Sequence, residues 1–380
     1  MFEKSYKIVF ITGTRADFGK LKSLIKKLQD VPKFEIHIFV TGMHMLTKYG
    51  YTCDEVEKTG LPNIYKYVNQ NSSDSMDHIL AKTISGLSDY VREILPDLLI
   101  IHGDRVEALA GASVGALNNI LTAHIEGGEV SGTIDELIRH AVTKLSHIHF
   151  VSNNNARNRI IQLGENSESI HVIGSPDIDL MNQKSLVPID NVKSRYEFNF
   201  DEYGIIMFHS VTSELDDISR QIKVIVDEVI DSNLNYIVIY PNNDPGTDLI
   251  IEEYERLLDI SRFKIYPSMR FEYFLSLLNG AKFIIGNSSA GVREAPHFGV
   301  PAINLGSRQA NRVNSASIIN EQIEYGKINQ AILKASNLKL QPESLFGSGN
   351  SDEKFFEILN SSTFWETKMQ KYFIDQNKYN

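Results

Sequence analysis

Three consecutive stretches decide how this chain is read: I-I-H-G-D-R-V-E-A at residues 100–108, L-T-A-H-I-E-G-G-E-V-S-G at 121–132, and T-I-D-E-L-I-R-H at 133–140. An apolar run (Leu98, Leu99, Ile100, Ile101) stops at His102-Gly103-Asp104-Arg105. A second apolar run ends at His124, and Glu126-Gly127-Gly128-Glu129 follows. In parallel α/β sheets ligands bind beyond the carboxyl ends of the strands, and both ends here carry carboxylates beside histidine or arginine. Asp135, Glu136, Arg139 and His140 form a third charged set on the helix expected next. One charged strand end is explained by an ordinary solvated loop. Three within forty residues point to paired acid and base roles.

Outward from this stretch, apolar runs alternate with helical periodicity. Tyr6–Thr12 predicts a buried first strand, which breaks at Gly13-Thr14-Arg15-Ala16-Asp17-Phe18-Gly19-Lys20 and enters a helix with Leu21, Leu24, Ile25 and Leu28. Strand, glycine turn and helix start form a usual anion site, and Arg15 and Lys20 add charge to it. The loop lacks the GxGxxG dinucleotide pattern. Strand two is expected at Phe34–Thr41, then a helix over 75–95 with Gly86 as a soft break, then the Asp97–His102 strand. Helix 105–118 is rich in small residues (Ala108, Ala110, Gly111, Ala112, Gly115, Ala116), suited to close packing on a sheet. Strand 121–126, helix 133–145, strand His147–Ser152, helix 153–163 and strand Ser169–Ile173 follow. Such alternation predicts a doubly wound parallel sheet.

The stretch from about 174 to 200 is polar, contains proline and has weak periodicity, so the domain boundary is placed there. A second alternation runs through strands at Tyr203–Phe208, Tyr236–Tyr240, Arg262–Tyr266, Lys282–Ile285 and Pro301–Leu305, with a helix at 270–279. The expected fold is α/β, with two Rossmann-like domains: 1–176, joined by a returning amphipathic helix at Ser361–Phe373 within 361–380, and 177–360. Phe364, Trp365, Tyr372 and Phe373 are expected to pack that helix down. In the second half, Gly286-Asn287-Ser288-Ser289-Ala290-Gly291-Val292-Arg293-Glu294 sits at a strand-to-helix turn. Small residues there let phosphate oxygens reach backbone N–H groups. Glu294, one turn on, is placed for a ribose diol.

Composition limits the partners. The 38 basic and 48 acidic residues give a net charge of −10, which argues against a nucleic-acid surface. No apolar run reaches the roughly 20 residues of a membrane span, so no membrane partner is expected. Met1-Phe2-Glu3-Lys4 leads directly into a strand pattern, which predicts no signal peptide. A single cysteine, Cys53, fits a reducing cytoplasm and a structural role. No zinc spacing, HExxH or P-loop is present.

The chain resembles the hydrolysing UDP-N-acetylglucosamine 2-epimerases, the branch that feeds sialic acid synthesis. The resemblance spans Gly13-Thr14-Arg15-Ala16-Asp17 to Gly306-Ser307-Arg308-Gln309 and rests on H-G-D-R at 102–105, H-I-E-G-G-E-V-S-G-T-I-D-E at 124–136, and G-N-S-S-A-G-V-R-E at 286–294. Gly42-Met43-His44 with Gly50-Tyr51-Thr52 also matches the hydrolysing branch. The glutamine/arginine-rich segment with which the non-hydrolysing branch binds a second sugar nucleotide is missing.

This resemblance implies a two-domain fold shared with GT-B glycosyltransferases and a homodimer. It also implies UDP on Ser288, Ser289, Gly291 and Glu294, with Arg308 near the nucleotide. Arg15 and His209 fall near the phosphates, with Lys20 and Arg105 as further substrate contacts. Asp104 and Glu126 match catalytic acids, and Asp135 or Glu136 matches a third. Neighbours on a helix point about 100° apart, so only one of that pair is expected to serve. UDP would leave carbon 1 while a base takes the carbon-2 proton, and water would then add to the 2-acetamidoglucal to give N-acetylmannosamine. No cofactor and no metal is demanded. Two alternatives stay open: a hydrolysing epimerase of a UDP-2,4-diacetamido-6-deoxy sugar, and a glycosyltransferase of the same fold.

Overall fold

The structure is a computed structural model that describes residues 5–47, 51–71, 74–131, 134–181, 186–241, 245–309 and 313–375. Gly50, Gly132, Thr133 and the asparagine-rich turn at 242–244 therefore lie outside the described residues. The chain divides into two compact units, Met1–Asp179 with Phe346–Asn380, and Leu180–Leu345.

In the first unit the strands are β1 (Tyr6–Thr12), β2 (Phe34–Val40), β3 (Ile64–Lys66), β4 (Leu98–His102), β5 (Leu121–Ile125), β6 (Ile148–Val151) and β7 (Ile170–Val172). They form a sheet in the order β3-β2-β1-β4-β5-β6-β7, with every pairing parallel. The second unit has β8 (Gly204–Met207), β9 (Tyr236–Ile239), β10 (Phe263–Tyr266), β11 (Phe283–Gly286), β12 (Ala302–Leu305) and β13 (Ile318–Glu321). Their order, β10-β9-β8-β11-β12-β13, repeats the first pattern, again all parallel. Short strands such as Leu98–Ile101 are fully buried, as expected where helices cover both faces of a parallel sheet. Strand order reverses between β1 and β4 in one unit and between β8 and β11 in the other. That switch point is where open α/β sheets bind ligands. Both motif-bearing loops of the sequence lie beside it.

Helix Arg15–Gln29 buries Phe18, Leu21, Leu24, Ile25 and Leu28, one stripe at helical spacing. Helix Val106–Leu117 packs tightly as its small residues predict: a Cβ on Gly111 would lie 2.6 Å from Ile101 Cγ2. Helix Met76–Ile94 runs unbroken through Gly86. That glycine is no soft break; it makes room for the Tyr67 ring packed against the helix.

The tail corrects the expectation of a helix over Ser361–Phe373. Among the described residues the last α-helix is Ser351–Asn360, which buries Phe355 and Leu359, and only a 3-10 turn, Thr363–Glu366, follows. Trp365 Nε1 donates to Leu359 O at 2.8 Å and its ring stacks on Tyr6 at 3.7 Å. From Thr367 to Asp375 the chain has no regular secondary structure, and Lys371 Nζ reaches the carbonyls of Thr143, Lys144 and Ser146 at the end of helix Ile134–Leu145. A helical tail would curl that amine away. Phe364 is buried, but Tyr372 and Phe373 are 76% and 88% exposed and pack nothing down. Among the described residues, no helix is long and apolar enough to cross a membrane.

Candidate active site

In the first unit the site grows from the ends of β4 and β5. Glu126 directly follows β5 and takes a left-handed backbone, φ 63°. For a residue other than glycine this costs on the order of 1–3 kcal/mol and tends to mark functional positions. Its side chain is buried, yet both oxygens are satisfied. Oε2 accepts from Lys20 Nζ at 2.8 Å and lies 3.1 Å from His102 Nε2, and Oε1 accepts from the Ser175 hydroxyl. Lys20 Nζ is also 3.4 Å from Asp177. A buried carboxylate needs such donors to remain charged.

Asp104, at the end of the neighbouring β4, pairs with Arg139 Nη2. Arg139 is buried, and its Nη1 is held by Glu129 O at 3.0 Å and Ser131 Oγ at 3.2 Å, which fixes the guanidinium that orients Asp104. His124 fastens the loop from below. Burial pushes its pKa down to about 3, so the imidazole is neutral. Its Nε2 lies 2.8 Å from Gly103 O and its Nδ1 3.1 Å from Thr143 Oγ1. A neutral ring with Nε2–H donating satisfies both contacts. Glu136 Oε2 accepts from the Ser131 backbone N–H at 2.9 Å, and its Oε1 is 3.8 Å from His140. Glu136 thus closes the loop ahead of its own helix, whereas Asp135 is half-buried on the first turn.

The first helix start carries an acid of its own. Asp17 accepts from the backbone N–H of Gly13 (3.0 Å) and Thr14 (3.1 Å), in a reciprocal capping box with Thr14. The chain's own carboxylate occupies donors that an outside anion would use. Lys20 turns to Glu126 rather than to this loop. Arg15 Nε is 3.0 Å from Glu55 and its side chain is half exposed. Arg105 Nε lies 3.5 Å from Glu107 and its Nη2 3.6 Å from Met43 Sδ.

The second unit gathers its predicted residues around Asn287. The Asn287 side chain accepts from the His209 backbone N–H (2.7 Å) and donates to the His209 carbonyl (2.8 Å), joining the β8 and β11 ends. Arg308 Nη1 and Gln309 Nε2 each donate to Asn287 O at 3.1 Å. Gly286 has φ 139°, and any Cβ there would strike Met207 O; only glycine serves. Ser288 caps a 3-10 turn, Ser289–Gly291, through Ala290 N–H at 3.3 Å, and a four-residue helix, Glu294–His297, follows. The strand-to-helix turn thus leads into a 3-10 turn and a short helix, so close approach rests on the turn's small residues rather than on a long helix dipole. Glu294 is buried at the start of the short helix. Burial, with the Arg308 charge second, pushes the His209 pKa down to about 3. His209 is therefore neutral and brings one N–H, not a positive charge, to this loop.

A profile for UDP-N-acetylglucosamine 2-epimerase matches residues 26–360. The chain belongs to the UDP-N-acetylglucosamine 2-epimerase family. It is 46% identical over 375 residues to a Neisseria meningitidis UDP-N-acetylglucosamine 2-epimerase, covering 98% of this chain and 99% of that one. It is 32% identical over 361 residues to the Legionella pneumophila UDP-N,N'-diacetylbacillosamine 2-epimerase (hydrolyzing), covering 93% and 96%. Its fold is similar to the crystal structure of the N. meningitidis UDP-GlcNAc 2-epimerase bound to UDP-GlcNAc, with TM-score 0.79 at 18% identity over 93% and 99% of the two chains. The GT-B-like pair of Rossmann-like units is thereby shared. In this family member, Ser175, Asp177 and Glu107 are neighbours of the site that the sequence did not point to. A small hydroxyl residue directly after a strand end, as in Gly174-Ser175-Pro176, is the signal that could have drawn attention to Ser175.

Proposed function

We propose that the protein is a hydrolysing UDP-N-acetylglucosamine 2-epimerase, converting UDP-N-acetylglucosamine and water to N-acetylmannosamine and UDP, the former a precursor for sialic acid synthesis. The observation that carries this reading is Glu126. It is a strained, buried carboxylate aimed by Lys20, His102 and Ser175, one strand from the Arg139-bound Asp104. In the first step a base takes the carbon-2 proton while the carbon 1–oxygen bond breaks and its electron pair leaves with UDP. The product is a 2-acetamidoglucal. In the second step water gives its hydroxyl to carbon 1, and an acid delivers a proton to the opposite face of carbon 2. Two carboxylates in distinct surroundings suit these opposed roles. Glu126 and Asp104 are the pair. Asp135 or Glu136 supplies the third acid, with Glu136 also accepting from the Ser131 N–H.

UDP falls to the second unit, where Ser288, Ser289, Gly291 and Glu294 receive the nucleotide, and Arg308 with neutral His209 meets the leaving phosphate. Arg15, Lys20 and Arg105 are assigned to the sugar and phosphate side of the first unit. The 46% identical relative is named for UDP-N-acetylglucosamine and the 32% identical one for the diacetamido sugar, which favours the former substrate. Incubation with UDP-N-acetylglucosamine and no acceptor, followed by proton NMR, tests the reading. Free UDP and N-acetylmannosamine are expected. Turnover of only the diacetamido nucleotide would shift the substrate, and turnover only with an acceptor would make the protein a transferase.

A further inference from the structure

Ser175 and Asp177 belong to the last stretch of the first unit before the chain enters the second, and this stretch lies against the segment that returns. Gly174 (φ 95°) and Gly347 (φ 121°) are in contact, and a Cβ on Gly347 would lie 2.8 Å from Gly174 Cα. The Ser175 N–H donates to Phe346 O at 2.6 Å. Four residues on, the Asp179 carboxylate accepts from the Ser351 N–H (2.9 Å), the Ser351 hydroxyl (2.6 Å) and the Asp352 N–H (3.2 Å), capping helix Ser351–Asn360. The departing and returning segments are thus fastened to each other at both ends. Between these fastenings the Ser175 hydroxyl donates to Glu126 Oε1, and Asp177 lies 3.4 Å from the Lys20 amine that holds Glu126 Oε2. Ser175 and Asp177 are 0% and 1% exposed, so neither contact is a solvated surface pairing.

We infer that Ser175 and Asp177 are positioning residues for the reaction, through which the paired chain crossings set the orientation and basicity of Glu126. The inference rests on Glu126 as a reacting carboxylate. The two residues act with opposite sign. Ser175 stabilises the carboxylate by hydrogen bonding. Asp177 competes with it for Lys20 and adds a like charge nearby, which disfavours ionisation of Glu126.

The test uses the full chain, with Ser175→Ala, Ser175→Cys, Asp177→Asn and Glu126→Gln compared for melting temperature, UDP affinity and the pH profile of kcat on UDP-N-acetylglucosamine. Ser175→Ala is expected to lower kcat by roughly 10- to 100-fold, the cost of a misplaced reacting group. KM and UDP affinity should stay within about threefold, and the acidic limb should move to higher pH. Ser175→Cys keeps the shape with a weaker donor, so it should fall between, and it serves in place of alanine if that variant does not fold. Asp177→Asn should move the acidic limb to lower pH. Opposite movements cannot come from general loosening of the fold. If Glu126→Gln is inactive while a folded Ser175 variant keeps the wild-type kcat and profile, or both substitutions merely lower stability and move the limb alike, the inference is overturned and the proposed function stands. If Glu126→Gln keeps full activity, the assignment of Glu126 fails and takes this inference with it.

Discussion

The two units share one strand order and the same strand–glycine–turn device at the switch point, yet they fill it with opposite chemistry. In the first unit the turn after β1 is closed by the chain's own Asp17, which takes the Gly13 and Thr14 N–H groups. Around it stand carboxylates held by bases: Glu126 by Lys20 and His102, Asp104 by Arg139. In the second unit the turn after β11 carries no carboxylate until Glu294. It offers glycine, serine hydroxyls, a neutral imidazole and Arg308. An internal carboxylate at a helix start takes some of the donors that an outside anion would use. On the proposed function, one fold repeated twice serves as a proton-handling unit and an anion-holding unit.

The sharpest way to break this division is Glu126→Gln. Removing this carboxylate, a proposed acid or base, should lower kcat by about 10²- to 10⁴-fold while calorimetric UDP affinity stays unchanged. Joint loss of both would mean that the units do not divide the work. Deleting the chain from Ser361 onward should act on the first unit only, through stability. It removes the buried Phe364, the Trp365–Tyr6 stack and the Lys371 cap on helix Ile134–Leu145. The loss should be roughly 3–5 kcal/mol, the scale of deleting a large buried aromatic. Thermal unfolding reads it, and an unchanged melting temperature would show that the tail is not docked.

Arg308→Ala probes the other unit. Losing one charge-assisted hydrogen bond costs about 1.5–3 kcal/mol, so UDP affinity should fall roughly 10- to 100-fold. An affinity equal to wild type would remove Arg308 from the nucleotide site. The smallest effect is expected at Glu107, which is buried against Gly13 with Arg105 Nε 3.5 Å from one of its oxygens. Burial pushes its pKa above the usual carboxylate range. Between the unfolded and the raised folded pKa only the folded state holds the proton, so wild-type stability falls as pH rises through that window. Glu107→Gln removes this dependence. Its melting temperature should gain on wild type as pH is raised from 5 to 8. A difference that does not change with pH would refute the raised pKa of this buried acid.

Much of this arrangement was legible in the sequence because it depends on local pattern. Buried parallel strands are unbroken apolar runs, and the residues that end them, such as Asp104 and Glu126, announce themselves by contrast. The capping box was legible too, since T-R-A-D at 14–17 spells threonine with an acid three residues later. The same loop carries Arg15 and Lys20, so an internal acid and basic side chains share it. What the sequence hid depends on long-range contact. Ser175 meets Glu126 across 49 positions, and no periodicity links them. The tail misled because Phe364, Trp365, Tyr372 and Phe373 have helical spacing. The bond from Trp365 to Leu359 O and the reach of Lys371 decide its path instead. Nor does composition show that burial leaves His209 neutral.

The fate of the hydrogen on carbon 2 tests the proton-handling role of the first unit most directly. UDP-N-acetylglucosamine turned over in deuterium oxide should give N-acetylmannosamine carrying deuterium at carbon 2, because the abstracted proton exchanges with solvent on the carboxylate before water adds. In oxygen-18 water the label should appear at carbon 1, with UDP released unlabelled. Full turnover with the original hydrogen retained at carbon 2 would contradict the glucal route and the roles given to Glu126 and Asp104.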